Sequence, residues 1–181
     1  MTTDAELLQK IGEGDQNAFQ QLFDRYESDL YRFALYMCGS RMLSEEIYQE
    51  TWLRIMQVIS KGKPVRHFKA FLFTIAKNLY RDELRKCKIR EWVTGEDEPQ
   101  TLFHLHDNNE QERQLEFREY LHLALQTLSL RQRQVFVLIH IQGMSIKETA
   151  EMMGCAAGTV KATLHKAVCK VRKVFKDFKE F

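Results

Sequence analysis

The sequence predicts an all-α protein made of two small helical domains joined by a flexible acidic linker. Three observations carry that expectation. Apolar residues recur at helical spacing along most of the 181 residues, with no alternating β-branched runs. Only two prolines and eight glycines are available to interrupt helices. Charge is segregated in blocks: Met1 to Ser60 is net −5, Lys61 to Trp92 is +7, Val93 to Leu130 is −6, Arg131 to Val160 is +1 and Lys161 to Phe181 is +5. Two basic blocks separated by acidic ones suggest two anionic contacts made by different parts of the chain.

The first helical run holds Leu7, Leu8 and Ile11. "GEGDQ" (Gly12 to Gln16) breaks it, and Asp15 is placed to cap a second helix. That helix carries Phe19, Leu22, Phe23, Tyr26, Leu30, Phe33 and Ala34 to about Met37. "CGSRML" (Cys38 to Leu43) reads as a turn, with Ser44 opening a third helix to about Ile59. "SKGKP" is a loop, and a long helix follows to about Trp92. "TGEDEPQ" and "HDNNEQE" lose the apolar period and are acidic, so they read as a tether. The expected organisation is a domain over 1–93, a linker over 94–112 and a domain over 113–181.

The stretch "SIKETAEMMGCAAGTVKATLHKAVCKVRK" reads as a helix-turn-helix. Ser145 and Glu148 form a capping box, and Ile146, Ala150 and Met153 share one face. Gly154 is suited to end that helix in the left-handed conformation. Thr159 is expected to cap the next helix, whose buried stripe is Val160, Leu164, Ala167, Val171 and Phe175. The other side carries Ala162, His165, Lys166, Cys169, Arg172 and Lys173. Such a helix enters a major groove N-terminus first. Its lysines supply salt-sensitive affinity, while Thr159, Lys161, Ala162, Thr163 and His165 are placed to touch base edges. The bland alternative is an amphipathic pair with a solvated basic face. A small turn and two caps alongside one-sided lysines argue against it.

The middle block "HFKAFLFTIAKNLYRDELRKCKIR" puts Phe68, Phe71, Leu72, Ile75 and Leu79 on one apolar face. Lys69, Lys77, Asn78, Arg81, Arg85 and Lys88 lie on the others. Basic residues interleaved with aromatics suit melted nucleic acid. Phe68, Phe71 and Phe73 read as core before they read as base-stacking residues. Asn78 differs, because an amide among cations can read a base edge.

On these residues the chain resembles the extracytoplasmic-function subfamily of bacterial sigma factors. "GDQNAFQQLFDRYESDLYRFA" looks like the start of sigma region 2, and "LSEEIYQETWLRIMQ" like its polymerase-docking segment. "FKAFLFTIAKNLYRDELRK" resembles the segment that melts and reads the −10 element. The stretch from Leu128 to Lys173 resembles region 4, which reads the −35 element. The resemblance implies core RNA polymerase as partner, through its β′ clamp helices and β subunit, together with promoter DNA and an anti-sigma factor. It assigns docking to Glu45, Glu46, Gln49, Glu50 and Trp52. It assigns −10 contacts to Phe68, Phe71, Lys77, Asn78, Arg81 and Arg85, with Asn78 beside a pocket for a flipped base. It assigns −35 contacts to Thr159, Lys161, Ala162, Thr163, His165 and Lys166. Four positions depart from the family pattern. Leu43 stands where an acidic residue is common, Phe71 where tryptophan is usual and Ser129 where proline is usual. Lys161 to Thr163 stand where arginine and serine are frequent.

The competing reading is a stand-alone helix-turn-helix regulator that binds an operator as a dimer. It leaves the middle basic block and the docking segment without a role. Catalysis is not expected, because the chain lacks a Gly-rich phosphate loop and any interpretable Ser, His and Asp set. His104 and His106 read as loop residues, and Cys38, Cys87, Cys155 and Cys169 as reduced thiols without zinc spacing. No cofactor or metal is expected. With neither a signal peptide nor a membrane span in the sequence, the expectation is a cytoplasmic protein.

Overall fold

The computed structural model describes residues 2–62, 64–94 and 112–179, all of it helix, turn or loop. Its elements are α1 (Asp4–Gly12), α2 (Gln16–Cys38), α3 (Arg41–Ser60), α4 (Phe68–Thr94), α5 (Glu112–Gln126), α6 (Leu130–Phe136), α7 (Ile146–Met153) and α8 (Ala157–Lys179). A π-helical turn over Val137–Ile141 continues α6. The chain divides into two compact units, one of α1, α2, most of α3 and α4, the other built on α5 to α8. Nearly all of the expected 94–112 linker, with His104 and His106, lies outside the described residues.

In the first unit α1 packs on α2, and α2 on α4. Two features missed in the sequence fasten α1. Thr3 and Glu6 form a reciprocal capping box at its start. Asp4 accepts from the Tyr26 hydroxyl at 2.5 Å and pairs with Arg25. Burial, followed by that carboxylate, raises the Tyr26 pKa. Asp15 caps α2 as expected, accepting from the backbone N–H of Asn17 and Ala18. The interior is aromatic. The Trp52 ring of α3 lies 4.7 Å from Phe23 and 6.5 Å from Phe68, and Phe33 lies 5.1 Å from Phe73. Burying a side chain such as Phe68, Leu72 or Phe73 stabilises by about 1.5–3 kcal/mol, so the apolar side of α4 anchors the unit.

The turn before α3 is shorter than expected. The helix begins at Arg41, and Ser44 is a fully buried residue within it rather than its cap. Gly39, with a left-handed φ of 71°, lets the chain reverse in two residues.

In the second unit α8 packs against α5, α6 and α7. Val135, Ala150 and Val160 form a buried cluster, one residue from each of α6, α7 and α8, flanked by Ile139, Ile146, Met153 and Leu164. Ser129 makes a reciprocal capping box with Gln132 at the start of α6. A serine cap there does the work of helix initiation that a first-turn proline would do. Arg133 is 8% exposed, and its Nε donates to the Leu125 carbonyl at 3.0 Å, near the end of α5. The guanidinium shares that carbonyl with the Leu128 N–H, which donates to it at 3.2 Å, and complements the helix dipole.

Replacing Arg133 with Met should remove the charged one of the two hydrogen bonds to that carbonyl and destabilise the second unit by about 1–3 kcal/mol. Chemical denaturation followed by circular dichroism measures the loss.

Candidate nucleic-acid and partner interfaces

The helix-turn-helix forms with a shorter turn than the sequence suggested. Ser145 and Glu148 make both bonds of the capping box, at 2.8 and 3.2 Å. Gly154 ends α7 at φ 62° and ψ 42°, and the Cys155 N–H returns to the Ala150 carbonyl at 3.0 Å. This left-handed reversal lets α8 start at Ala157. Thr159 therefore does not cap α8, because it already lies in its first turn and donates its N–H to the Ala156 carbonyl at 2.9 Å. Val160, Ala167 and Val171 are buried as expected. Thr159, Lys161, Ala162, His165 and Lys166 are exposed, and helical spacing puts them on one side. Thr163 is half-buried at the edge, and its hydroxyl donates to the Thr159 carbonyl at 2.7 Å. That proton is spent within the helix. His165 Nε2 sits 3.7 Å from the exposed Cys169 Sγ.

On α4 the long helix sorts its residues into two sides. Phe68, Leu72, Phe73, Ala76, Leu79 and Tyr80 are buried. Phe68, at 1% exposed and stacked near Tyr26 and Trp52, is core, so its ring does not reach DNA. Phe71 is half-buried. Phe71, Asn78 and Arg85 are spaced by sevens, and Arg81 falls beside them, so they line one stripe of the helix. Asn78 and Lys77 are half-buried, while Arg81 and Arg85 are exposed. Arg85 also pairs with Asp82 at 3.6 Å, a surface contact of small energy.

On α3, Glu45, Glu46 and Gln49 are exposed, and Glu50 accepts from Arg54 Nε at 2.8 Å. Trp52 is 5% exposed, so it supports this face from beneath instead of touching a partner. The sequence reading missed an apolar component. Met42, Leu53 and Met56 are 71%, 49% and 42% exposed. With Glu46 and Gln49 they recur at the 3.5-residue spacing of a coiled-coil seam. Only the burial of Ile47, Thr51 and Ile55 on the other side of α3 separates these residues from its core positions.

Among the described residues no group of three or more His, Cys, Asp or Glu could hold a metal ion. No helix among them is long and apolar enough to cross a membrane.

With this geometry in place, comparison with known proteins assigns the class. Residues 22–89 match the model for sigma-70 region 2, and residues 118–170 match that for sigma-70 region 4. The chain is 34% identical to the ECF RNA polymerase sigma factor SigL of Mycobacterium tuberculosis, covering 86% of this chain and 88% of that one. It is 30% identical to SigX of Bacillus subtilis, over 87% and 84%. It is 32% identical to BldN of Streptomyces coelicolor, over 95% and 66%. Two solved structures share the fold at 24% identity. One is sigma factor RpoE with the anti-sigma factor NepR from Bartonella quintana, with a TM-score of 0.75 over 87% of this chain and 96% of that one. The other is CnrH with the cytosolic domain of CnrY, at 0.72 over 96% and 97%.

The chain is a sigma-70 family protein. Within that class it belongs to the extracytoplasmic-function (ECF) RNA polymerase sigma factors, which direct core polymerase to specific promoters and start transcription there.

Because the Thr163 hydroxyl is committed to its own helix, Thr163→Val should change affinity for promoter DNA less than about twofold. Fluorescence anisotropy with holoenzyme and labelled promoter measures this.

Proposed function

We propose that the two units divide promoter binding between duplex and melted DNA, with the first unit also holding the polymerase. The observation that carries this is the stripe on α4. Asn78 sits half-buried on the same side as Phe71, Arg81 and Arg85, while the opposite side is locked into the core. Arginines hold a strand by its phosphates, and a half-buried amide beside an aromatic offers an unstacked base both hydrogen bonds and a surface. Flipping a base costs a few kcal/mol, which such a pocket offsets. Lys77 adds charge to the same segment.

The second unit takes the −35 duplex through Thr159, Lys161, Ala162, Thr163, His165 and Lys166, with Thr163 contributing its methyl. The α3 face docks on a helical pair of the polymerase, the β′ clamp helices. Met42, Leu53 and Met56 supply buried apolar area, and Glu45, Glu46, Gln49 and Glu50 supply charge complementarity. Leu43 at the edge of this face extends its apolar part where relatives commonly carry an acid. The 94–112 segment tethers the domains 1–93 and 113–181, which raises the effective concentration of the second contact once the first is made.

The protein does no covalent chemistry and needs no cofactor. It acts in the cytoplasm, where the polymerase and promoter DNA are. An anti-sigma protein restrains it, by analogy with the partner named for RpoE.

Transcription in vitro with core polymerase on a genomic promoter library tests the scheme. Wild type should give defined start sites, and their absence would refute it. Asn78→Ala should alter −10 preference. Lys166→Ala should weaken all promoters alike and lower the salt slope by about 1. A Glu46→Lys variant should lose polymerase binding by about tenfold or more in a pull-down while keeping its circular dichroism spectrum.

A further inference from the structure

We infer that Cys169 is a positioning residue for −35 recognition: by engaging one ring nitrogen of His165 it turns an ambivalent imidazole into a directed donor. The inference rests on the assignment of the −35 duplex to α8 proposed above.

The two residues lie one helical turn apart on the exposed side of α8. Ala162, His165, Lys166, Cys169, Arg172 and Lys173 recur at spacings of three and four and are all exposed, so they form one stripe. Of the four cysteines, Cys169 alone is exposed, while Cys38, Cys87 and Cys155 are partly covered. Side chains on a helix lean toward its N-terminus, which carries the Cys169 thiol back toward the ring. Its Sγ lies 3.7 Å from His165 Nε2, within reach of a sulfur hydrogen bond.

The proton has a preferred place in this pair. A thioether or thiol sulfur accepts weakly, whereas the bare nitrogen of a neutral imidazole is a good acceptor. The thiol therefore donates to Nε2. The hydrogen bond made by one ring nitrogen sets the state of the other, so the proton of the neutral ring sits on Nδ1.

The consequence lies in what the ring offers a base. An imidazole without a partner rotates to present either nitrogen, one as donor and the other as acceptor, and such a contact favours no base edge. With Nε2 held, only the Nδ1–H is left. In the major groove guanine, adenine and thymine each show an acceptor, and cytosine shows only a donor. A ring held in this way rejects cytosine at the base it faces. Thr163, two residues earlier, has no such freedom to contribute, because its hydroxyl is taken by the Thr159 carbonyl.

A promoter library randomised across the −35 element is transcribed by core polymerase with wild type, His165→Ala, Cys169→Ala and the double variant. Wild type should disfavour cytosine at one −35 position by about fivefold. His165→Ala should abolish that preference. Cys169→Ala should reduce it by about threefold, leaving the other −35 preferences and the circular dichroism spectrum as in wild type. The double variant should match His165→Ala, because a positioning residue has no effect without the group it positions. In the full chain free of polymerase, 15N NMR should place the His165 ring proton mainly on Nδ1 in wild type and mainly on Nε2 in Cys169→Ala. A Cys169→Ala protein with the wild-type base profile overturns the inference, as does additivity in the double variant or the same tautomer in both proteins. If His165→Ala leaves every −35 preference intact, the base-reading role of His165 falls and the inference with it. A library without transcripts is a different result, since it removes the promoter assignment itself.

Discussion

Concentrated positive charge cannot be taken out of water without opposite charge to meet it. In this protein every basic face must therefore lie opposite an apolar seam on the same helix. On α4 the seam is Phe68, Leu72, Ala76 and Leu79, and on α8 it is Val160, Ala167 and Val171. The seam sets the rotation of each helix, and the rotation decides which residues face outward. Asn78 and Lys161 owe their positions to the burial of residues on the other side of their helices.

The two faces reach this arrangement differently. α8 is short of local support at its start, so α7 and α6 provide it. The Val135, Ala150 and Val160 cluster gathers one residue from each helix. Gly154 in the left-handed region makes the reversal tight enough for that cluster to close. α4 instead rests on rings, with Tyr26 and Trp52 against Phe68 and Phe23 against Trp52. Aromatic pairs add about 0.5–1.5 kcal/mol beyond area burial. Trp52 belongs to this aromatic floor, beneath the exposed side of α3.

Departures from the family pattern find local explanations where they touch structure. Ser129 replaces one way of starting a helix with another, since its hydroxyl and the Gln132 side chain satisfy two orphan N–H groups. Leu43 is half-buried beside the exposed Met42 and lengthens an apolar edge. Lys161 and Ala162 are exposed, so their identities change no packing.

The sequence alone determined the helical class, the two basic segments, the capping box at Ser145, the Gly154 stop and the buried stripe of α8. Each is a local or periodic property, set by residues within a few turns of one another. The tertiary structure decided the rest. The family resemblance made Phe68 and Trp52 contact residues, although periodicity already read Phe68 as core; both are buried, because packing decides which side of a helix another helix covers. The exposed Met42, Leu53 and Met56 were hidden for the same reason: an apolar residue reads as buried until the packing shows what its face lacks. Thr159 looked like a cap because the turn length before it depends on how α7 and α8 meet. Periodicity fixes faces relative to one another within a helix, but only contact between helices says which face is inside.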